Sequence, residues 1–470
     1  MDSPPFKTRF APSPTGLLHL GNIRTALFNY LLARQAGGIF LLRLEDTDAM
    51  RGHEKYARAL ADDLRWLSLE WNEGAGAGGQ QGPYAQSERG AIYKEYFAAL
   101  EESGQAYPCF CSEHELAIAR KTAIAGGRPP RYSGKCRVLS RADVAARFGR
   151  GEPATWRFRV AEGARLEFED KVRGPQAFAT SDIGDFIIRR SDGTPAFFFC
   201  NAIDDAVMGV TLVVRGEDHL TNTPRQIMLL RALGLTVPEY AHIALVVGAD
   251  GAPLSKRTGS RSVQELREQG FLPAAIHNYL ARLGHSYDDN SLLTLDRLAA
   301  LFSVTRLHRA PARYDEAQLM HWQREALLHL SADEIWRSMG EPVHALVPPD
   351  KREAFISAVR ANVIFPAEAL RWAQIVFTDT LAMTHPAHAA ITAAGEEFFD
   401  VLRRALEKHG TDFKAVSDML RQALAVNGKS LFQPLRAVLT GELDGPEMAK
   451  LLPLIGVDRA RKRISKYLAS

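Results

Sequence analysis

The stretch RFAPSPTGLLHLGN, residues 9–22, carries residue types that could bind phosphate. Its His19 and Gly21 follow a turn rich in proline and glycine, where a helical pattern begins. Unpaired backbone N–H groups and the helix dipole attract anions to such a helix start, and glycine leaves room for a nucleotide. Taken alone, the His-x-Gly pair is better explained as a histidine that caps a helix. The motifs GxGxxG and GxxxxGK[ST] are absent, which excludes a dinucleotide fingerprint and a P-loop.

A second basic group, LSKR at 254–257, follows a late apolar run and the turn GADGAP. A lysine on such a loop could neutralise a triphosphate as charge builds up at its α-phosphorus. The same letters are common in solvated charge clusters. The combination with the early His-x-Gly pair favours nucleotide chemistry.

Three cysteines, Cys109, Cys111 and Cys136, lie close together in the sequence, whereas Cys200 stands apart. Clustered thiols in a reducing compartment are typical of zinc sites, and structural zinc takes four ligands. The alternative is a decayed site with three reduced thiols and no metal.

The elements around these residues predict a parallel sheet. Residues 8–11 predict a strand, residues 22–36 a helix and residues 39–44 a buried strand, which together form a right-handed βαβ unit. Glu45, Asp46 and Asp48 follow the second strand, at the edge where open α/β sheets bind ligands.

Later apolar runs predict the second half of this sheet. AFFFCNAI at 196–203, VTLVVRG at 210–216 and HIALVV at 242–247 are expected to be strands. The chain between them and the βαβ unit reads as an insertion, and helical periodicity dominates after about residue 265.

The composition is that of a globular protein: 470 residues, 46% hydrophobic and 24% charged, enough for about three to five domains. No apolar run approaches the ~20 residues that span a bilayer, and no secretory signal opens the sequence. With four cysteines a disulfide framework is excluded, so we expect a cytoplasmic protein. The net charge of +3 is compatible with a nucleic-acid partner.

The motifs resemble one known family. RFAPSPTGLLHLGNIRTALFNYLLAR is similar to the HIGH region of class I aminoacyl-tRNA synthetases, in the form found in bacterial-type glutamyl-tRNA synthetases. Five further segments resemble motifs of the same family, in the same order along the chain: LRLEDTD at 42–48, RGEDHLTNTPRQ at 215–226, LSKR at 254–257, FLPAAIHNYLARLG at 271–284 and PLRAVLTG at 434–441. The resemblance covers essentially the whole chain.

The resemblance implies an α/β fold: a Rossmann-type parallel-sheet catalytic domain split by an α+β insertion, followed by an all-helical C-terminal anticodon-binding module. The expected domains are the first catalytic half (1–84), an acceptor-stem-binding insertion (85–196), the second catalytic half with the LSKR loop (197–264), a helical stem-contact domain (265–321) and a helical anticodon-binding domain (322–470).

The implied reaction uses ATP with Mg²⁺ to form glutamyl-adenylate, and then transfers the glutamyl group to the 3′ end of a tRNA. Whether tRNA-Glu, tRNA-Gln or both are charged stays open, and the family suggests a monomer. The implied catalytic residues are His19 and Lys256. The implied glutamate contacts are Arg9, Ser13, Glu45, Phe197, Asn201 and Arg215. The implied ATP contacts are Gly16, His19, Gly21, Asp218, Val246, Leu254, Ser255, Lys256 and Arg257.

Arginine's planar fork suits carboxylate binding, which supports Arg9 and Arg215 as glutamate ligands. The alternative for Arg215 is an ion pair with Glu217 or Asp218, which are close in sequence.

The chain departs from the family at three places. Phe197 stands where a tyrosine is usual, and Pro253 stands where the loop usually has a lysine. Members often complete the zinc site with a histidine, but the matching position here is Val138, which cannot bind a metal ion. The expectation is therefore one zinc bound by Cys109, Cys111 and Cys136, with Tyr132 as the fourth ligand. Tyr132 matches a tyrosine that completes the site in a related tRNA-modification enzyme.

Two rival functions stay open from the residues alone. One is a small-molecule nucleotidylyltransferase, which leaves the insertion and the helical third unexplained. The other is an inactive RNA-binding paralogue, which the intact His19, Lys256 and Arg215 argue against.

Two features of the helical third have two interpretations each. The basic run DRARKRISKYLAS at 458–470 could be a solvated helix face or an RNA surface. Trp322, Trp336 and Trp372 could be core residues or platforms on which bases stack.

Overall fold

The computed structural model describes residues 5–47, 53–127, 130–254 and 261–468. Asp48 and three of the predicted ATP contacts, Ser255, Lys256 and Arg257, lie outside the described residues. The chain divides into two compact units: residues 1–265 with 273–322, and residues 266–272 with 323–470.

Within the described ranges, strands are confined to the first unit. In chain order they are β1 (Lys7–Phe10), β2 (Ile39–Leu42), β3 (Glu73–Gly74), β4 (Ala106–Cys109), β5 (Thr155–Phe158), β6 (Arg165–Asp170), β7 (Gly174–Ala179), β8 (Phe186–Arg189), β9 (Leu212–Gly216), β10 (Glu239–Ile243), β11 (Val246–Val247) and β12 (Ala312–Arg313).

The α-helices, in chain order, are α1 (Leu20–Gln35), α2 (His53–Trp66), α3 (Gly90–Glu102), α4 (Glu113–Ala125), α5 (Arg141–Gly149), α6 (Thr180–Ile183), α7 (Phe197–Val207), α8 (Thr223–Ala232), α9 (Val263–Gln269), α10 (Pro273–Arg282), α11 (Leu295–Leu301), α12 (Glu316–Leu328), α13 (Ala332–Met339), α14 (Glu341–His344), α15 (Arg352–Val359), α16 (Pro366–Phe377), α17 (His385–His409), α18 (Phe413–Leu424), α19 (Lys429–Thr440), α20 (Met448–Ile455) and α21 (Val457–Ile464). None of the helices in the described ranges is long and apolar enough to cross a bilayer.

The predicted βαβ unit is confirmed. β1 and β2 pair in parallel, with Arg9 opposite Leu41, and α1 connects them. Apolar residues such as Ile23 and Leu27 are fully buried on α1, because a crossover helix must cover the face of a parallel sheet.

Two parallel ladders meet at the centre of the unit. β9 and β10 pair in parallel along their full length, and the Thr211 N–H before β9 donates to the carbonyl of Lys7 in β1 at 2.9 Å. β2 and β3 follow β1 on one side, and β10 follows β9 on the other side. The strand order therefore reverses between β1 and β9, which is where open α/β sheets form a ligand crevice.

The predicted strand at 196–203 is wrong: Phe197–Val207 is helix α7. A short apolar run does not by itself distinguish a buried strand from a buried helix. Phe199, Cys200 and Ile203 pack in one core cluster. The helical spacing also brings the buried carboxylates of Asp204 and Asp205 to arginine side chains, which a strand with alternating faces would not do.

The predicted strand at 242–247 is divided. β10 ends at Ile243, and β11 pairs with β12 instead of extending the β9–β10 ladder. The break occurs because side chains take the backbone groups between the two strands: Arg24 donates to the Ala244 carbonyl at 2.7 Å, and the Leu245 N–H donates to Glu217 at 3.1 Å.

The chain between the two halves of the sheet forms two different structures. β4, β5 and β8 make an antiparallel sheet of their own. The β6–β7 hairpin instead joins the parallel ladder, because β6 pairs with β10 at Asp170 and Tyr240. The domain boundaries at 84, 196, 264 and 321 stay predictions.

The second unit is helical throughout its described residues, as the periodicity predicts. Trp372 is buried in its core, and Trp336 packs against that core. Trp322, in the first unit, is also buried and lies under the Arg282 guanidinium at 4.2 Å from the ring centre. These positions favour the core interpretation of the three tryptophans.

Much of the basic run at 458–470 is used within the second unit. Arg459 donates to the carbonyls of Val376 and Phe377, and Arg463 donates to those of Ile375 and Thr378. Both arginines thereby satisfy the C-terminal carbonyls of α16, where positive charge is stabilising. Lys462 pairs with Asp379.

Candidate functional site

A cavity of about 620 Å³ opens at the carboxyl ends of β1, β9 and β10. It lies where the strand order reverses. Every predicted small-molecule contact that the structure describes lines it: Arg9, Ser13, Gly16, His19, Gly21, Glu45, Phe197, Asn201, Arg215, Asp218, Val246 and Leu254. Residues distant in sequence are therefore brought to one cavity.

Arg215, at the end of β9, is a buried cation held by neutral groups. Its Nη2 donates to Thr223 Oγ1 at 2.8 Å and to Gln226 Oε1 at 2.6 Å, and its Nη1 donates to Asn201 Oδ1 at 3.4 Å. Its Nε donates to His242 Nε2 at 3.1 Å. Burial lowers the pKa of Arg215 to about 10, so the guanidinium stays charged at neutral pH.

The alternative pairing of Arg215 with Glu217 or Asp218 is not found in the part of the chain that the structure describes. Glu217 pairs with Arg173, and Asp218 lies 3.6 Å from His219. A buried cation whose partners are all uncharged is stabilised when an anion binds. The hydrogen-bonding environment of Arg215 is therefore compatible with an anion in the cavity.

Arg9, at the end of β1, has a different environment. Its Nε and Nη2 donate to the two carboxylate oxygens of Asp205 at 3.1 and 3.4 Å, and its Nη1 donates to the Val214 carbonyl at 3.3 Å. Asp205 also pairs with Arg43 at 2.7 Å. The two arginines together keep the pKa of Asp205 below its usual value in spite of its burial. The charge of Arg9 is thus largely matched by Asp205.

Glu45 and Asn201 form the polar wall between these arginines. The Asn201 amide donates to Glu45, and its Oδ1 accepts from Gln226 at 2.7 Å as well as from Arg215. Burial raises the pKa of Glu45, although Arg43 and Arg9 act in the opposite direction. Phe197 presents a ring without a hydroxyl and lies 5.5 Å from the His219 ring.

His19 occupies the N-cap position of α1, and its ring is part of the cavity wall. Partial burial lowers its pKa, which favours a neutral ring at pH 7. A Cβ on Gly21 would lie 3.3 Å from the His19 ring, so a larger residue would make a tight contact that the ring would have to relieve by a small shift. Gly16 faces open space, where a Cβ would meet no atom within 4 Å.

Another part of the cavity wall is formed by the chain that precedes residues 255–260, at Val246, Pro253 and Leu254. The Leu254 N–H donates to the Val246 carbonyl at 2.9 Å, and Pro253 bridges to Val247. The residues that follow Leu254 belong to the undescribed 255–260 segment.

Several groups around the cavity were not singled out by the sequence. Thr223, Gln226 and His242 hold Arg215, and Arg24 lines the cavity while donating to two backbone carbonyls. Thr223 and Gln226 lie three residues apart at the end of RGEDHLTNTPRQ, a spacing that places two side chains on the same face of a helix. This spacing is a signal that could have identified them. His242 gave no such signal because it lies inside an apolar run.

The predicted zinc ligands also come together. The three Sγ atoms of Cys109, Cys111 and Cys136 lie within 4.8 Å of one another. Tyr132 Oη lies 3.4 Å from Cys109 Sγ and 3.5 Å from Cys111 Sγ, and accepts from the Cys136 N–H at 2.8 Å. Zn–S bonds of about 2.3 Å place tetrahedral ligand atoms nearly 4 Å apart, so the donor set fits zinc.

The protonation of the cluster is uneven. Burial acts to raise the pKa of Cys109, but bonds to Tyr132 and Arg157 lower it to about 7. Burial raises the pKa of Cys111 to about 11, and burial with the thiols raises the pKa of Tyr132. Val138, where a histidine is usual in the family, is 84% exposed.

Comparisons with known proteins agree with this geometry. Residues 5–321 match the family described as "tRNA synthetases class I (E and Q), catalytic domain", and residues 343–468 match an "Anticodon binding domain". The chain is 58% identical over 464 residues to glutamate–tRNA ligase 2 of Nitrosococcus oceani, covering 99% of this chain and 98% of that one. It is 52% identical over 461 residues to glutamate–tRNA ligase 1 of Methylococcus capsulatus, covering 98% of each.

A solved structure is similar over the same span. The crystal structure of a glutamate tRNA ligase from Elizabethkingia meningosepticum in complex with its amino acid superposes with a TM-score of 0.87 at 28% identity, covering 98% of this chain and 99% of that one. The cavity, the motifs that line it and both family matches lead to one assignment. The chain belongs to the class I tRNA synthetases of the glutamate and glutamine type.

Proposed function

We propose that this chain attaches L-glutamate to the 3′ end of a tRNA, in two steps that use ATP. The observation that carries the proposal is that one cavity is lined both by a buried arginine, whose described hydrogen-bond partners carry no charge, and by a histidine at a helix start. Arg215 offers a position for a carboxylate, and His19 with the N–H groups of α1 offers one for phosphate.

In the first step the α-carboxylate of glutamate attacks the α-phosphorus of ATP, and pyrophosphate leaves. The carboxylate is already ionised at neutral pH, so the step requires no general base. It requires alignment of the two substrates and stabilisation of charge on the phosphate. In the second step a ribose hydroxyl of the terminal nucleotide takes the glutamyl group, and AMP leaves.

We assign the phosphate contacts to His19 and to Lys256 of the LSKR loop, with Ser255 and Arg257 beside it. The chemistry that Mg²⁺ would supply, when bound to ATP, is neutralisation of part of the charge on the phosphate oxygens. We assign the space for the nucleotide to the part of the cavity lined by Gly16, Gly21, Val246 and Leu254, and Asp218 also lines the cavity.

We assign the glutamate contacts to Arg215 and the residues around it. Arg215 binds a carboxylate directly, because its charge has no anionic partner within the described ranges. Arg9 adds positive potential that Asp205 partly offsets. Glu45 and Ser13 suit the substrate ammonium group, and Asn201 positions Glu45.

The rest of the chain is assigned to tRNA. We propose that residues 85–196 and 265–321 contact the acceptor stem and that residues 322–470 bind the anticodon, with the protein acting as a monomer in the cytoplasm. The match to an anticodon-binding domain over 343–468 supports the last assignment. The tRNA is tRNA-Glu, tRNA-Gln or both.

The test is glutamate-dependent ATP–pyrophosphate exchange, run with and without tRNA, followed by charging of purified tRNA-Glu and tRNA-Gln. Exchange that requires glutamate, together with charging of at least one of these tRNAs, supports the proposal. Exchange with glutamate but no charged tRNA would favour a small-molecule nucleotidylyltransferase. RNA binding without any exchange would favour an inactive paralogue.

We further propose one structural zinc ion held by Cys109, Cys111, Cys136 and Tyr132. A bound ion would have to lower the raised pKa of Tyr132, which is how metals bind phenolic ligands. Elemental analysis of protein purified without chelator should give about one zinc per chain, and Tyr132→Phe should weaken its retention. A zinc content near zero with three freely titrating thiols would establish the decayed site instead.

A further inference from the structure

His242 is a fully buried histidine beside the glutamate-binding arginine. It lies on β10, opposite Arg215 on the neighbouring strand β9. Its Nε2 is 3.1 Å from Arg215 Nε and 3.0 Å from Thr223 Oγ1. Its Nδ1 is 2.6 Å from Asp170 Oδ2, and the side chains of both residues have no exposed surface.

These contacts fix the tautomer of the ring. A guanidinium has only donors, so the ring nitrogen that faces Arg215 Nε must be the acceptor, and Nε2 carries no proton. Nδ1 therefore carries the proton and donates it to Asp170, whose ionised carboxylate has only acceptors. Burial lowers the pKa of His242, which is consistent with a neutral ring.

We propose that His242, held in its Nδ1-protonated tautomer by Asp170, is a positioning residue that orients the Arg215 guanidinium toward the substrate carboxylate. The inference rests on the proposed glutamate-binding role of Arg215. His242 and Asp170 touch no substrate in it: they act only through Arg215.

The direction of the guanidinium depends on this contact. Thr223 and Gln226 take both N–H groups of Nη2, and His242 takes the one on Nε. Nη1 has two hydrogens, of which one goes to Asn201. The fork is thus fixed along one edge, and the second Nη1 hydrogen is left for a ligand, as far as the described ranges show.

Asp170 itself is positioned by its hairpin. It ends β6, and its Oδ1 accepts from the N–H groups of Val172 and Arg173 at 3.0 and 2.8 Å. Its backbone pairs with Tyr240, two residues before His242. The hairpin between the two halves of the sheet thereby reaches the substrate cavity through a chain of three buried side chains.

The first test is Asp170→Asn. The asparagine Oδ1 keeps the contacts to the backbone N–H groups of Val172, Arg173 and His242, and its amide presents a donor to Nδ1. The ring then changes tautomer, so that Nε2 carries the proton and donates it to Thr223 Oγ1. Arg215 Nε thereby loses its acceptor. A buried donor left without an acceptor weakens binding about 10- to 100-fold, so the KM for glutamate in pyrophosphate exchange should rise by about that factor.

The expected signature is a split between substrates. The KM for glutamate rises, whereas the KM for ATP stays within about twofold, because the arginine does not face the nucleotide. Asp192→Asn is the matched control, since Asp192 also caps a turn, by accepting from the Thr194 N–H at 2.8 Å, but has no histidine partner in the described structure. Equal effects of Asp170→Asn on both KM values, or none on glutamate, would overturn the proposal.

The second test compares His242→Leu with His242→Gln. Leucine removes the acceptor, and the glutamine carbonyl can restore one near the position of Nε2. We expect the KM for glutamate to be at least about fivefold lower in the glutamine variant than in the leucine variant. Equal values would show that His242 fills space only.

The third test does not depend on activity. Nitrogen-15 spectra of the histidine-labelled wild-type protein, with the His242 signals identified by their loss in His242→Gln, should show a neutral ring protonated at Nδ1. Protonation at Nε2 or at both nitrogens would overturn the proposal. If the wild type shows no glutamate-dependent exchange with tRNA present, the proposed function fails, and the tautomer result still reports on the chain of contacts.

Discussion

Arg215 in the cavity and Arg463 in the helical unit are a matched pair of buried cations. Each is nearly inaccessible to solvent, and burial lowers the pKa of each to about 10. Neither has a carboxylate partner among the residues that the structure describes. Their acceptors nevertheless differ completely.

Arg463 donates to backbone carbonyls of Leu439, Ile375 and Thr378, at the C-terminal ends of α19 and α16. These carbonyls carry the negative end of a helix dipole, which offsets the charge of the guanidinium. Arg215 donates to side chains that carry no net charge and lie beside a cavity. The difference teaches that two arginines buried to a similar degree can have different acceptors: helix-end carbonyls for Arg463, and neutral side chains beside a cavity for Arg215.

The largest effect is expected for Arg215→Leu. Leaving a substrate carboxylate without its cation costs about 3–5 kcal/mol, which lowers kcat/KM for glutamate by about 10²–10³-fold or more. Pyrophosphate-exchange kinetics with varied glutamate measure this, and Arg463→Leu is the matched control. Equal losses of activity in the two variants would remove the distinction between the two arginines.

Arg463→Leu should change stability instead. It leaves two buried carbonyls and one partly buried carbonyl without their donor, and we expect the free energy of unfolding to fall by about 2–3 kcal/mol. Exchange activity per folded molecule should stay within about twofold of the wild type. The control is Lys462→Met on the same helix, whose exposed pair with Asp379 contributes little, so urea unfolding of that variant should match the wild type.

Arg9→Leu tests an intermediate case. Because Asp205 already matches the charge of Arg9, and Arg43 still pairs with Asp205 in the variant, we expect a loss of only about tenfold in kcat/KM for glutamate. Glutamate kinetics of both arginine variants, measured side by side, decide the order. A larger loss for Arg9→Leu than for Arg215→Leu would contradict it.

The smallest effect is expected for Gly16→Ala. A Cβ there meets no protein atom within 4 Å, so the thermal midpoint should be unchanged. If a nucleotide approaches this backbone, the added methyl group costs about 1 kcal/mol, and the KM for ATP rises about fivefold while that for glutamate does not. An unchanged KM for ATP would place the nucleotide elsewhere.

The residues that line the cavity could be predicted from the sequence more fully than the residues that hold them in place. His19, Glu45 and Arg215 lie at strand ends or a helix start within local motifs, and the physics of parallel sheets brings such positions together. His242 and Asp170 are 72 residues apart, and their contact depends on a hairpin register that local patterns do not encode.

Helix α7 is a second feature that local sequence patterns did not predict. AFFFCNAI has the continuous apolar character of a buried strand, and only the tertiary contacts of Asp204 and Asp205 reveal why it is helical. Tyr132, by contrast, was predicted beside the thiols from resemblance, and the structure brings it there.

The short segment Leu266–Leu272 belongs to the helical unit although the chain around it belongs to the catalytic unit. The Leu272 N–H donates to the Gln323 side chain at 2.9 Å, and Phe271 packs edge-on against Phe365 at 5.0 Å. A catalytic fragment truncated after Trp322 would keep Phe271 and lose Gln323 and Phe365, and with them the cover of a buried ring. Shortening this protein, in the laboratory or in evolution, therefore requires new polar residues at 266–272 as well as a new C-terminus.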